Sequence, residues 1–202
     1  MPMLVLDASE ERSIRAHRRK SGADRWDEVW DGVYMVMPLP NDEHQEIVAE
    51  FVITFRGALG RASKIRPGVN ISDRKDNWKK NFRGPDVVVF LEGTTAENRG
   101  AYWLGGPDFA VEVLSKGDRS RKKLDFYASV NVRELLLVDR NPWSLELYRL
   151  NNGALELAGS ATVENQTSLS SAVLPLSFGL VTGPERPAIE VAHADGERRW
   201  SV

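Results

Sequence analysis

Cysteine is absent from the 202-residue sequence, which excludes disulfide bonds and thiolate metal sites. Long apolar runs are missing too, since no stretch reaches the roughly 18 residues that a membrane-spanning helix needs. The opening residues MPMLVL are too few to form the apolar core of a signal peptide. We therefore expect no membrane association and take a cytoplasmic location as the default.

The sequence also lacks a surplus of either charge, with 27 basic and 29 acidic residues and a formal net charge of -2. Near neutrality argues against a protein that coats nucleic acid nonspecifically, because counterion release rewards a strong positive surplus. The 28% charged and 42% hydrophobic content is that of a soluble globular protein. We expect an N-terminal helical extension (1–25), one central domain (26–182) and a loosely attached C-terminal tail (183–202).

The first third of the chain contains signals for two helices and a hairpin. Acidic residues early and basic residues late predict a short surface helix over 7–20. Its arginines could touch phosphate, although a solvated helix face is the simpler interpretation. Asp31-Gly32 separates two strand-like runs within 26–37 and predicts a hairpin. Apolar residues at helical spacing predict a core-packed helix over 42–60.

The middle of the chain predicts a mixed sheet. Apolar runs at Val87–Leu91 and Phe109–Leu114 are bounded by Gly and Pro and should form interior strands that are antiparallel neighbours. A helix capped by Asp118 and ending near Val130 should follow. The buried strand Glu134–Asp139 then lies parallel to the second strand, because strand, helix, strand implies a crossover connection.

Shorter signals complete the predicted fold. Pro67-Gly68 turns the chain into a short strand at 69–72, and an edge hairpin is expected from 143 to 158 around the turn Asn151-Asn152-Gly153. A further short strand is expected within 169–180. The fold class is therefore α/β in the sense of a mixed α+β sheet, flanked by helices, with an added β-hairpin.

Two acidic residues, Asp86 and Glu112, lie inside or beside the most apolar runs. Burying a carboxylate is costly unless it is paired, hydrogen-bonded or bound to a cation. If the two predicted strands are neighbours, Asp86 and Glu112 approach to within a few ångströms, where their repulsion calls for a cation between them. Hard oxygen ligands favour Mg²⁺ or Mn²⁺. A buried salt bridge from Glu112 to a helix lysine or arginine explains the pattern equally well.

A basic segment precedes the first of these acids. Between Arg61 and Arg83 there are eight basic residues against only Asp73 and Asp76, with Trp78 among them. On a nearly neutral protein, such a segment is a candidate nucleic-acid interface. The residues that we nominate as nucleic-acid contacts are Lys75, Lys79, Lys80 and Arg83.

Short motifs follow one another in a fixed order between Trp26 and Phe178. They are Asp31-Gly32, His44-Gln45, Pro85-Asp86, Glu112-Val113-Leu114-Ser115, Lys123-Leu124-x-x-Tyr127 and Glu134-Leu135-x-x-Val138-Asp139. Their order and spacing resemble the Uma family of restriction-endonuclease-like proteins, within the PD-(D/E)XK nuclease superfamily. The resemblance implies a restriction-endonuclease-like core, with Asp86 and Glu112 as magnesium ligands.

The same resemblance implies roles for three more residues. The lysine usual in the superfamily lies two residues after the glutamate, where this chain has Leu114, and the Uma-type pattern moves it to the following helix as Lys123. There it would orient water or stabilise charge on the phosphate, unless it is only a solvated helix lysine. Glu28 is implied as an outer metal ligand, or is an exposed strand residue. His44 is implied as an acid, base or phosphate contact, or is a cap or packing residue.

The sequence departs from the family pattern at two positions. Val33 follows Asp31-Gly32 where the family often has glutamate, and Arg119 stands where aspartate is common, although Asp118 is adjacent. The leading hypothesis is a Mg²⁺- or Mn²⁺-dependent endonuclease acting on nucleic acid, with DNA the expected substrate. The alternatives are an inactive nuclease-fold protein that binds nucleic acid or protein, and a purely structural protein. By analogy with nucleases that cut both strands, we expect a homodimer.

Overall fold

The computed structural model describes residues 2–115, 117 and 119–202. Its helices are α1 (Ala8–Ser21), α2 (Asp42–Leu59) and α3 (Leu124–Ser129), and its 3₁₀ turns cover Ala23–Trp26, Trp78–Lys80 and Ser120–Lys123. In chain order, its strands are β1 (Met3–Val5), β2 (Glu28–Trp30), β3 (Val33–Val36), β4 (Lys64–Pro67), β5 (Ile71–Ser72), β6 (Val87–Phe90), β7 (Glu97–Asn98), β8 (Trp103–Leu104), β9 (Phe109–Val113), β10 (Glu134–Arg140), β11 (Trp143–Asn151), β12 (Ala154–Ala161), β13 (Leu169–Ser170), β14 (Leu176–Val181), β15 (Ala188–His193) and β16 (Arg199–Ser201).

A mixed central sheet has the strand order β12-β11-β10-β9-β6-β4. The strands β6 and β9 are antiparallel, with Val87 opposite Val111. The strands β9 and β10 are parallel, with Leu137 opposite Glu112. The predicted antiparallel neighbours and the predicted parallel crossover are both confirmed, and the hairpin β11–β12 adds the expected edge.

The two faces of this sheet carry separate cores. Val111 and Val113 belong to one core with α2, β14 and β15, whereas Ala110 and Leu114 belong to the other core with α3. This alternation is the one expected for a strand, and it directs Glu112 to the α3 face. In the α2 core, the ring of Phe55 meets the rings of Phe109 and Phe178 edge to face. Burying each such side chain contributes roughly 1.5–3 kcal/mol.

The N-terminal region packs on a smaller sheet with the order β1-β3-β2. The helix α1 begins where the Asp7 carboxylate accepts from the backbone N–H of Ser9 at 2.8 Å. Arg18 on this helix donates to Asp27 at 2.6 Å and so ties α1 to the residue that precedes β2. Asp31 and Gly32 both have positive φ, as a type I′ hairpin requires. The predicted helix and hairpin are confirmed, whereas β1 was not predicted.

The C-terminal residues correct one expectation. We predicted a loosely attached tail over 183–202, but β15 pairs with β14, and β16 pairs with β15, in a second sheet. Ile189 and Val191 are fully buried in the α2 core. Prolines at 184 and 187 are typical of an irregular tail, but here they only precede a strand whose apolar residues alternate.

Other predicted elements differ in length. The strand predicted at 69–72 is reduced to β5, and β4, β7 and β8 were not predicted, because strands of two to four residues leave little periodicity. The helix predicted to end near Val130 begins as a 3₁₀ turn and continues as the short α3. Its predicted cap, Asp118, lies outside the described residues.

Within the part of the chain that the structure describes, no helix is both long enough and apolar enough to cross a membrane.

Candidate active site

A narrow cleft lies where β6 begins and β9 ends. Its walls include all the residues predicted to have a catalytic or metal-binding role, namely Glu28, His44, Asp86, Glu112 and Lys123. These residues come from β2, the first turn of α2, the entrance of β6, the interior of β9 and the 3₁₀ turn before α3. The fold therefore brings together side chains that are up to 95 positions apart in the sequence.

Asp86 joins two strands and a helix at the cleft. Its Oδ2 accepts from the backbone N–H of Val113 at 2.7 Å, and its Oδ1 lies 3.0 Å from Nε2 of His44. Because a carboxylate has no proton to offer at neutral pH, Nε2 of His44 carries the hydrogen of this bond. The other ring nitrogen of His44, Nδ1, is buried and has no hydrogen-bond partner among the described residues. His44 therefore orients the Asp86 carboxylate.

Lys123 lies between two glutamates. Its Nζ donates to Oε1 of Glu28 at 2.8 Å and to Oε1 of Glu112 at 2.9 Å. The Lys123 side chain is only 2% exposed, so the alternative of a solvated helix lysine is wrong. Glu112 does form the buried salt bridge that was the structural alternative for it. In a site of low dielectric, such a cation compensates the cost of burying both carboxylates.

Glu28 is buried rather than exposed on its strand. Its Oε1 also accepts from the backbone N–H of Gly84 at 2.9 Å, and its Oε2 accepts from the indole nitrogen of Trp30 at 2.6 Å. These bonds aim Glu28 at Lys123 and connect β2 to the loop before Asp86. The alternative of an exposed strand residue is therefore excluded.

Two hydroxyl groups next to Glu112 were not nominated from the sequence. Tyr127 donates from its hydroxyl to Oε1 of Glu112, and Ser120 donates to Oε2 at 3.3 Å. Burial, with the nearby charge of Glu112 as a further cause, raises the pKa of Tyr127 well above its ordinary value, so the phenol stays protonated and donates. The signal for Tyr127 was its position four residues after Lys123, which puts both side chains on one helical face.

The donor set of the cleft fits a hard divalent cation. Within residues 2–115, 117 and 119–202, no group of three or more His, Asp or Glu side chains is arranged to hold a metal ion. Mg²⁺, however, is commonly bound through one or two carboxylates, with water and substrate phosphate completing its coordination. The carboxylates of Asp86 and Glu112 line the same cleft and would be the two such ligands.

The predicted nucleic-acid contacts separate into two groups. Lys75, Lys79 and Lys80 are exposed in the loop before β6. Arg83 is only 4% exposed, and its guanidinium donates to the backbone oxygen of Val29 at 2.8 Å. We therefore withdraw Arg83 from the predicted contacts, because a guanidinium held by backbone oxygens in the interior is not available to a phosphate. The sequence shows its charge but not its burial.

Comparisons with known proteins agree with this architecture. A crystal structure of a protein from Anabaena variabilis, described as a putative nuclease belonging to DUF820, matches with a TM-score of 0.53 and 18% identity, over 65% of this chain and 75% of that one. The likeness shows that the fold is restriction-endonuclease-like. No curated protein matches the sequence. The model of the Uma2 family, described as "Putative restriction endonuclease", matches residues 17–183. Because this match covers most of the sequence, the chain belongs to the Uma2 family.

Proposed function

We propose that the protein is a nuclease that hydrolyses nucleic-acid phosphodiester bonds with the help of Mg²⁺ or Mn²⁺, and that DNA is its substrate. The observation that carries this proposal is the convergence of Asp86, Glu112 and Lys123 on one cleft. Membership of the Uma2 family and the nuclease-like fold support the same reaction class.

Asp86 and Glu112 would hold the cation through their carboxylate oxygens. The chemistry that such a cation would supply there is polarisation of a phosphoryl oxygen and a lower pKa for a bound water. His44 keeps the Asp86 carboxylate in place through its 3.0 Å contact. Tyr127 and Ser120 do the same for Glu112, so both acids are oriented before a substrate arrives.

Lys123 supplies positive charge beside the two acids. The ammonium group reduces the negative charge of the Glu28 and Glu112 pair, which would otherwise repel an incoming phosphate. Because its side chain is only 2% exposed, Lys123 would stabilise the charge that develops on the phosphate through its own positive charge rather than by direct contact. We assign Glu28 to positioning Lys123, since it binds this lysine directly.

A nucleic-acid-binding protein that keeps the fold without cutting is the second candidate. Two observations favour it: Glu112 is already bound to Lys123, and Val33 replaces an acid that the family often has. Calorimetric titration with Mg²⁺ separates the two candidates. Saturable binding that Glu112→Gln abolishes supports the metal-dependent enzyme, whereas absence of binding supports the second candidate.

The main experiment is a cleavage assay with a matched pair of aspartate variants. Purified protein is incubated with plasmid DNA, single-stranded DNA and RNA, in Mg²⁺, in Mn²⁺ and in a chelator. Asp86→Asn should abolish cutting. Asp108→Asn is the control, because Asp108 also follows a proline and is buried, but bonds to Leu91 and Arg133 away from the cleft. Cutting that survives in Asp86→Asn, or in the chelator, would overturn the proposal.

We also propose that the protein forms a homodimer, as do many nucleases that cut both strands of DNA. The strand β12 lies at one edge of the central sheet and could pair with a second copy. Light scattering at the working concentration of the assay tests this, and a monomeric mass would count against it.

A further inference from the structure

A second cleft, of about 460 Å³, is lined by cationic side chains. It lies between α1, the 3₁₀ turn Ala23–Trp26 and the segment 70–82, and we call it the cationic cleft. Its walls include Arg12, Arg15, Arg19, Arg25, Lys79 and Trp78. On a chain whose formal net charge is -2, this is a local concentration of positive charge.

Part of this charge is already neutralised. Arg15 pairs with Glu11 at 2.7 Å, and its guanidinium covers the ring of Tyr34 at 3.8 Å. The carboxylate of Asp27 in the cleft wall is bound by Arg18 at 2.6 Å. Arg15 and Asp27 therefore help to hold α1 against the β2–β3 hairpin.

The remaining cations are available to a ligand. They are exposed and form no ion pair among the described residues. Asp24 is the other acid in the wall, so positive charge prevails in the cleft. These available cations are Arg12, Arg19, Arg25 and Lys79.

The arginines on α1 form a row along one face of the helix. Arg12 and Arg19 are seven positions apart, which is close to two helical turns, so their side chains project in nearly the same direction. Lys20 is next to Arg19 in the sequence but does not line the cleft. The row therefore spaces two positive charges roughly 10 Å apart along the cleft, from the rise of about 1.5 Å per residue.

The cationic cleft and the candidate active site border the same hollow. Arg25 lines the cationic cleft and also a neighbouring hollow, which includes Trp26, His44 and Asp86. The same Trp26, His44 and Asp86 line the cleft of the candidate active site. A chain of shared wall residues thus leads from the row on α1, past Arg25, to the carboxylate of Asp86.

We propose that the cationic cleft binds the phosphodiester backbone of the nucleic-acid strand whose scissile phosphate lies at Asp86 and Glu112. This inference rests on the proposed nuclease function. A row of unpaired cations suits a polyanion with regularly spaced phosphates. The ring of Trp78 in the wall is already stacked on Tyr102 and packed edge-on against Phe82, so the cations carry the proposal. Of the lysines nominated from the sequence, Lys79 belongs to this cleft.

The test measures binding without cutting. Full-length protein in a chelator is titrated into a fluorescently labelled 20-nucleotide DNA strand, and separately into its duplex, at several salt concentrations. The double variant Arg12→Ala/Arg19→Ala is compared with Lys20→Ala/Arg61→Ala, which removes the same charge from exposed positions outside the cleft. Removing two phosphate contacts should make the slope of log affinity against log salt less steep by about 1.4 for the single strand or about 1.8 for the duplex.

We expect affinity to fall by on the order of tenfold in the cleft variant and to change little in the control. Lys79→Ala, on a different element, should give a smaller loss in the same direction, which guards against a local effect on α1. Whichever DNA form shows the selective loss is the form that the cleft binds. Equal losses in the cleft and control variants, or no loss in either, would overturn the inference.

The result is separable from that of the cleavage assay. If the protein never cuts DNA but the cleft variant binds DNA selectively less well, the cleft inference stands and the nuclease function fails. If cutting depends on Asp86 but the cleft variant binds and cuts like its control, the cleft inference fails and the nuclease function stands.

Discussion

The central sheet contains two buried glutamates, one near each end of a pair of parallel strands. Glu112 lies near the end of β9, and Glu134 lies at the start of β10, where it is opposite Phe109. Both are almost inaccessible to solvent, and both are paired with a cation. Burial and pairing are therefore common to the two sites and do not distinguish them.

The surroundings of Glu134 are closed. Its Oε1 accepts from Arg149 at 2.7 Å and from the backbone N–H of Ala172 at 3.0 Å, and its Oε2 accepts from the hydroxyl of Ser171. These bonds attach the segment before β14 to the sheet. Glu134 thus holds the segment before β14 against β10.

The surroundings of Glu112 are open on one side. Beside it lie a second carboxylate, Asp86, and the histidine that binds it, and all three line a cleft. A buried acid by itself thus indicates only that a partner exists. What distinguishes a candidate site is that a second acid lines the same cleft as the first, instead of both being enclosed by bonds to neighbouring segments.

The largest expected difference between the two glutamate sites is in the free energy of unfolding when the cation of each pair is replaced. Lys123→Met leaves Glu28 and Glu112 buried without their shared cation, and we expect it to lower the free energy of unfolding by about 3–5 kcal/mol. Arg149→Met should cost about 1 kcal/mol or less, because the Arg149 side chain is 42% exposed and its pairing is screened by solvent. Urea unfolding of both variants measures the difference.

A second variant keeps this prediction interpretable. Adding Glu28→Gln to Lys123→Met removes one of the uncompensated charges and should recover part of the lost stability. If Lys123→Met and Arg149→Met were equally stable, the Lys123 pairs would be no more desolvated than the Arg149 pair. That result would contradict the expected difference between the two glutamate sites.

Neutralising each glutamate should separate activity from structure. We expect Glu112→Gln to lower the rate of DNA cleavage by on the order of 10²–10³-fold, the loss that follows removal of one charge-stabilising group from an active site. Glu134→Gln should leave this rate unchanged. Cleavage is followed on plasmid DNA in Mg²⁺, and circular dichroism confirms that both variants are folded. Equal rates in the two variants would remove Glu112 from the site.

The smallest effect concerns stability at alkaline pH. The pKa of Tyr127 is raised above its ordinary value of 10.0, chiefly by burial and then by the charge of Glu112. Above pH 10 the folded state therefore keeps a proton that the unfolded state loses. Stability from this group is complete below pH 10 and falls as the pH rises, by up to about 1.4 kcal/mol per pH unit.

Tyr127→Phe should make the stability curve above pH 10 less steep. Urea midpoints at pH 8 and at pH 10.5 measure the slope, and Glu134→Gln is the control, since its partners Arg149, Ser171 and Ala172 include no phenol. An unchanged slope in Tyr127→Phe would mean that the phenol titrates as it does in water.

Much of the fold was predictable because its elements are long or strongly marked. The helix α2 has a regular apolar face, and β6, β9 and β10 are short apolar runs between breakers. The strands β15 and β16 were missed because nearby prolines and charges concealed a weak alternation. This segment is a strand because it pairs with β14, and the local sequence does not reveal which strand will be its partner.

The sequence alone determined which residue types meet in the candidate site. Two acids among apolar residues required partners, and the resemblance to the Uma family implied Glu28, His44 and Lys123. The tertiary structure decided what each of them does, because burial and hydrogen-bond partners depend on distant segments. It placed Lys123 between two glutamates, turned Arg83 inward, and brought the arginines of α1 to a cleft that shares Arg25 with the hollow lined by Asp86.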